Sequence, residues 1–92
     1  MRGKQRRVEL EPEVERAFEA IKANEPRGAE AIEGFLRFVS RAPEAGYAVP
    51  RNPSLLSRPF HTAVAAYLVI YQIEGEVVTC LGVRKVPFSN FS

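Results

Sequence analysis

From residue 67 to residue 73 the chain reads Tyr-Leu-Val-Ile-Tyr-Gln-Ile, an almost unbroken apolar run rich in β-branched and aromatic side chains. Such a run predicts a strand, and the lack of apolar–polar alternation predicts one covered on both faces in the middle of its sheet. Glu74-Gly75-Glu76 follows and then a second strand pattern, Val77 to Lys85. Together they predict a hairpin with Gly75 in a three-residue turn, the flanking glutamates keeping its tip in water. Earlier in the chain the period changes from two to about 3.6. Val14, Phe18 and Ile21 form one stripe of a helix that starts at Pro12 and ends near Asn24. Ile32, Phe35, Leu36 and Val39 form the apolar face of a second helix over residues 27–41. Gly34 inside that helix costs about 1 kcal/mol against Ala, which predicts close packing on its partner.

The short break at Glu25-Pro26-Arg27-Gly28 makes the two helices an antiparallel hairpin. Arg7-Val8-Glu9-Leu10 alternates and predicts a short first strand. Residues 42–59 hold Pro43, Pro50, Pro53 and Pro59, together with Gly46 and Asn52, and read as a crossing loop whose unusual length suggests either a function or a short helical turn around Ser54 to Ser57. Phe60 to Val64 reads as the strand before the hairpin, with a bend at Ala65 and Ala66. The expected fold is α+β: a two-helix hairpin packed on a small, mainly antiparallel sheet of about four strands.

With 92 residues and 46% apolar content, the chain makes one domain, residues 1–92, with a core of its own. The single cysteine, Cys80, excludes an internal disulfide and reads as a small core hydrophobe in a reducing, cytoplasmic setting. The basic N-terminus is followed by Val8-Glu9-Leu10-Glu11 where a signal peptide would need its apolar region, and the longest stretch without Asp, Glu, Lys or Arg, Pro59 to Ile73, is too short to span a membrane. One His and one Cys without neighbouring ligands exclude a zinc site of ordinary spacing, and no phosphate loop or dinucleotide glycine pattern occurs, so no metal and no cofactor is expected. The charge is uneven. Residues 11–46 carry five bases and eight acids, whereas residues 47–92 carry four bases and two acids. A positive loop-and-sheet surface suits a polyanion or an acidic partner, against the plain alternative that acids simply favour the helices.

Three stretches carry a family resemblance. Arg7-Val8-Glu9-Leu10-Glu11-Pro12-Glu13-Val14 looks like the opening strand and first helical step of the RelE/ParE toxin superfamily, the toxic half of type II toxin–antitoxin pairs. Tyr67 to Ile73 resembles its central strand, often Tyr-Arg-Val-Ile-Tyr-Arg-Ile, and Val77 to Lys85 resembles its last strand with a terminal basic cluster. The resemblance covers nearly the whole chain. It implies a RelE/ParE-like toxin domain that inhibits growth by ribosome-dependent mRNA cleavage. The alternatives are a gyrase-poisoning toxin without enzymatic activity, or a degenerate member that only binds a protein partner. The implied partners are a cognate antitoxin, with the ribosome and mRNA or DNA gyrase as target and no membrane, in a heterotetramer or homodimer.

Cleavage by a ribose 2′-hydroxyl needs a base, an acid and cations around the crowded negative charge. The catalytic candidates are Arg58 and Arg84 as phosphate clamps, with Lys85 beside them, and His61 as the one side chain suited to proton transfer near neutrality. Arg51, Phe88 and Phe91 are candidates for RNA or partner binding. The chain departs from the family pattern at Leu68 and Gln72, where arginines are common, and at Phe88 and Phe91, where ribonuclease members often carry His or Tyr. A phenylalanine stacks on a base but moves no proton. The plain readings are a surface residue for His61 and a solvated strand end for Arg84-Lys85.

Overall fold

The computed structural model of the chain describes residues 5–86. Strand β1 (Arg7–Leu10) leads into helix α1 (Pro12–Asn24), which a tight turn joins to helix α2 (Gly28–Arg41). A short 3₁₀ turn at Pro43–Ala45 precedes β2 (Tyr47–Val49), β3 (Asn52–His61), β4 (Ala66–Glu74) and β5 (Val77–Val86). The five strands form one sheet in the order β1-β5-β4-β3-β2, antiparallel except where β1 lies parallel to β5. Both helices pack on one face, in two layers. No helix among the described residues is long and apolar enough to cross a membrane.

The helices follow their periodicity. Val14, Phe18 and Ile21 are buried on α1, and Ile32, Phe35 and Val39 on α2. Glu13 and Glu15 sit in the first turn of α1, where the helix dipole favours acids. Gly34 differs from expectation. It is exposed, and a methyl group built there meets nothing within 4 Å, so it serves no close approach. The tight helix–helix contact lies at Gly28, where a Cβ would sit 2.5 Å from the Ile21 carbonyl oxygen.

The proline-rich segment corrects the strand count from four to five. Residues 42–59 are no simple loop, and Ser54 to Ser57 lie in β3 rather than in a helical turn. The helical turn comes at Pro43–Ala45 instead, pinned by the Tyr71 hydroxyl, which donates to the Pro43 carbonyl at 2.7 Å. Gly46 admits that hydroxyl, since a Cβ there would lie 2.0 Å from it. β3 tolerates Pro59 because β2 pairs with it only as far as Ser57, which leaves the far half of β3, among the described residues, an open edge where no N–H is needed. The strand ends at His61, and Thr62 makes the bend: its hydroxyl oxygen accepts from the Val64 and Ala65 amides at 3.2 and 3.1 Å. The hairpin turn has two residues, not three, with Gly75 at φ +62 as the first and Glu76 as the second.

The expectation for β4 needs one further correction. The strand is central, between β3 and β5, but only one of its faces is covered. Tyr67, Val69 and Tyr71 are buried under the helices, while Leu68, Ile70 and Gln72 are half-exposed on the opposite face. Two helices supply one layer, and among the described residues no third layer covers the back of the sheet.

The core is built on aromatic rings. Phe18 from α1 meets Phe35 from α2 at 6.1 Å and Phe60 from β3 at 5.9 Å, both edge-on. Phe35 also contacts Phe60 at 5.9 Å and Tyr71 of β4 at 6.4 Å, and Phe60 stacks on Tyr67 at 5.4 Å. At the far end the Glu25 carboxylate, in the turn between the helices, accepts from the Thr62 hydroxyl at 2.6 Å and from the Tyr67 hydroxyl. Those bonds, Thr62 first, hold the Glu25 carboxyl below its ordinary value. Burial, and then the bond to Glu25, push the Tyr67 hydroxyl up to about 12, and burial alone pushes the Cys80 thiol up to about 12.

Two predictions follow from this arrangement. Phe35→Ala opens the ring cluster and is expected to cost about 3–5 kcal/mol, whereas Ile70→Ala on the half-exposed face costs less than about 2 kcal/mol; urea titration of both variants measures the contrast. The second concerns alkali. Tyr67 and Cys80 both have folded values raised above their ordinary 10.0 and 9.0. Their contribution to stability is therefore fully present below pH 9 and is lost as pH rises through 12. Unfolding free energy measured across that window should fall, and a flat profile would contradict the assignment.

Candidate functional site

The register of the sheet sorts the candidate side chains by face, because cross-strand partners point the same way. Arg58 pairs with buried Val69 and so faces the helices, where its guanidinium carbon lies 4.0 Å above the Phe38 ring centre. Arg84 pairs with Leu68 and projects from the opposite, open face. Lys85 pairs with Tyr67 on the helix side, and its positive charge is one of the influences that lower the Glu25 carboxyl. His61 is exposed at the end of β3, opposite Ala66. Arg51 is exposed in the turn between β2 and β3. Phe88 and Phe91 lie outside the described residues.

Arg58 and His61 have opposite parity along β3, yet both line one groove beside the strand's end, and Arg84 does not belong to it. That site is an open groove between α2 and the unpaired half of β3, about 270 Å³ in volume. Ala31, Gly34, Phe35 and Phe38 form its helical side, and Arg58 through His61 its strand side. A second depression of about 260 Å³, lined by Arg27, Glu30, Ala31 and His61, adjoins it at Ala31 and His61. The trough thus runs along α2 from Phe38 to Arg27, roughly 16 Å at the ordinary helical rise.

The local causes are readable. Phe38 lies three residues after Phe35, so it stands at the rim of the buried stripe rather than inside it. The absent side chain at Gly34 keeps the trough open. Stacking on Phe38 restricts the Arg58 guanidinium to a plane and leaves its N–H fork for an anion. Arg27 caps the start of α2 with φ 64, a left-handed conformation that costs a non-glycine residue on the order of 1 kcal/mol. Its guanidinium sits 3.6 Å from Glu30.

Chemically, the groove offers one fixed cation, one imidazole and an aromatic wall. It can clamp a phosphate or carboxylate, stack a planar group and exchange a proton at His61. Among the described residues no three His, Cys, Asp or Glu side chains gather as a metal-binding group. Phe38 and Arg27 were missed in the sequence. The helical offset of Phe38 from Phe35 is a signal that would have found the first; nothing local marks Arg27 beyond its place in the turn.

No protein-family model matches this chain, and no curated protein or solved structure matches it either.

Proposed function

We propose that the chain is a toxin of the RelE/ParE kind that cuts mRNA in the ribosome, with the α2–β3 groove as its RNA-binding surface. One observation carries the reading: Arg58 and His61, a phosphate clamp and a proton-transfer group, line the same groove against the Phe35 and Phe38 rings. The order of strands and helices, and the three resembling stretches of sequence, support the same assignment. In the reaction, Arg58 holds the scissile phosphate, His61 moves the proton of the attacking or leaving oxygen, and a base stacks along Phe38. A cognate antitoxin would silence it with an acidic segment laid over the same cations.

A second reading is favoured by a separate observation. Arg58 and Arg84 lie on opposite faces of the sheet, so they cannot clamp one phosphate together. A family member that binds gyrase or another protein without chemistry needs no such pair.

Purified protein incubated with ribosomes carrying mRNA decides between them. Truncated mRNA is expected, Arg58→Ala should abolish it, and His61→Ala should slow it by about 10²–10⁴-fold, the usual loss for a general acid or base. Gly34→Leu should fill the groove and block cleavage while the helix gains roughly 0.8 kcal/mol in propensity, so lost activity with raised stability is the expected signature. Intact mRNA contradicts the nuclease reading; broken DNA and a damage response in induced cells would then support the gyrase binder.

A further inference from the structure

The back of the sheet carries apolar side chains that the core does not use. Leu55, Leu68 and Ile70 are all half-buried, and none of them packs against the core cluster. Tyr47, 62% exposed, belongs to the same face through its pairing with Ser57. The register arranges this face in rows. Pro59, Leu68 and Arg84 form one row; Tyr47, Ser57, Ile70 and Gly82 form the next; Gln72, Thr79 and Glu9 form the third.

We propose that a second copy of this chain covers that face, in a two-fold sheet-on-sheet dimer centred on Ile70. The charges argue for a copy rather than for an acidic or a basic partner. One end of the face carries a cation, Arg84, and the other carries Glu9 and Glu74 with Arg7, which bonds Glu9 at 3.1 Å, so that end is net negative, on the other side of the Ile70 row. A two-fold axis lying in the plane of the face, across the strands at Ile70, carries each Arg84 row onto the partner's Thr79 row. Thr79 neighbours Glu9 one strand away, about 4.8 Å, which is within reach of an arginine side chain. The same rotation repeats the contact at the other end, so both charges find opposite partners while Ile70 meets Ile70. A wholly basic face would repel its copy; this one is self-complementary. Packed sheets of this kind sit about 10 Å apart, with side chains from both faces interdigitating. The dimer uses the face opposite the α2–β3 groove and stands independently of the function proposed for that groove.

Sedimentation equilibrium of the full chain over a dilution series tests the dimer. A monomer–dimer equilibrium is expected, and Ile70→Asp should yield a monomer with an unchanged circular-dichroism spectrum, because that side chain lies outside the core. Should that variant unfold, the charge swap still decides. Glu9→Arg and Arg84→Glu should each weaken the dimer roughly three- to tenfold in Kd, and the double variant should restore it. A wild-type chain that stays monomeric throughout, and so leaves the face to some other occupant, overturns the proposal. So does a double variant no tighter than the single ones.

Discussion

Every layer of this fold meets at one cluster of rings. Phe18 of α1, Phe35 of α2, Phe60 of β3 and Tyr67 and Tyr71 of β4 lie with centres 5.4 to 6.4 Å apart, mostly edge to face. Aromatic pairs in such geometries add to the transfer energy of the buried area, so the cluster both drives collapse and sets orientation. Phe35 touches three of the other four rings, which fixes the position of α2 over the sheet. The two tyrosines extend the same constraint outward. Tyr71 ties the 3₁₀ turn through Pro43, and Tyr67 ties the turn between the helices through Glu25.

The groove is a consequence of that orientation. With Phe35 drawn into the cluster, Phe38 falls one turn further along α2 at the edge of the sheet, where the guanidinium of Arg58 covers it. β2 pairs with β3 only as far as Ser57, so among the described residues nothing continues the sheet beside Arg58 to His61, and Gly34 adds no side chain to fill the space. A cation held over a ring, beside an imidazole and above an open trough, is therefore the product of three local facts: a helical offset, a short edge strand and a glycine.

The helices were legible because their stripes at three- and four-residue spacing match the buried positions Val14, Phe18, Ile21, Ile32, Phe35 and Val39. The α+β layering and the central place of β4 were legible for the same reason. Other features depend on long-range pairing. Strand β3 contains Pro53 and Pro59, which local rules assign to a loop; only the absence, among the described residues, of a neighbour beyond Ser57 makes Pro59 acceptable there. The face of Arg84 was equally hidden. Cys80 is buried toward the helices, and strict alternation from it would send Gly82 and Arg84 the same way. A bulge inserts Leu81 between the Tyr71–Cys80 and Ile70–Gly82 pairs, which reverses the parity and turns Arg84 to the open face. One extra residue thus separates two arginines that the linear sequence invites one to combine. Thr62, whose hydroxyl makes the β3–β4 bend, and Glu25, which receives it, are 37 residues apart and gave no local sign of their pairing.

The claim that the α2–β3 groove is the working surface has a direct test in amide hydrogen exchange of the chain bound to ribosomes carrying mRNA, compared with the chain alone. The account predicts slowed exchange along α2 from Ala31 to Phe38 and along β3 from Arg58 to His61, with the strands around Arg84 unchanged. Protection confined to the open face, or no protection at α2 and β3, would contradict it.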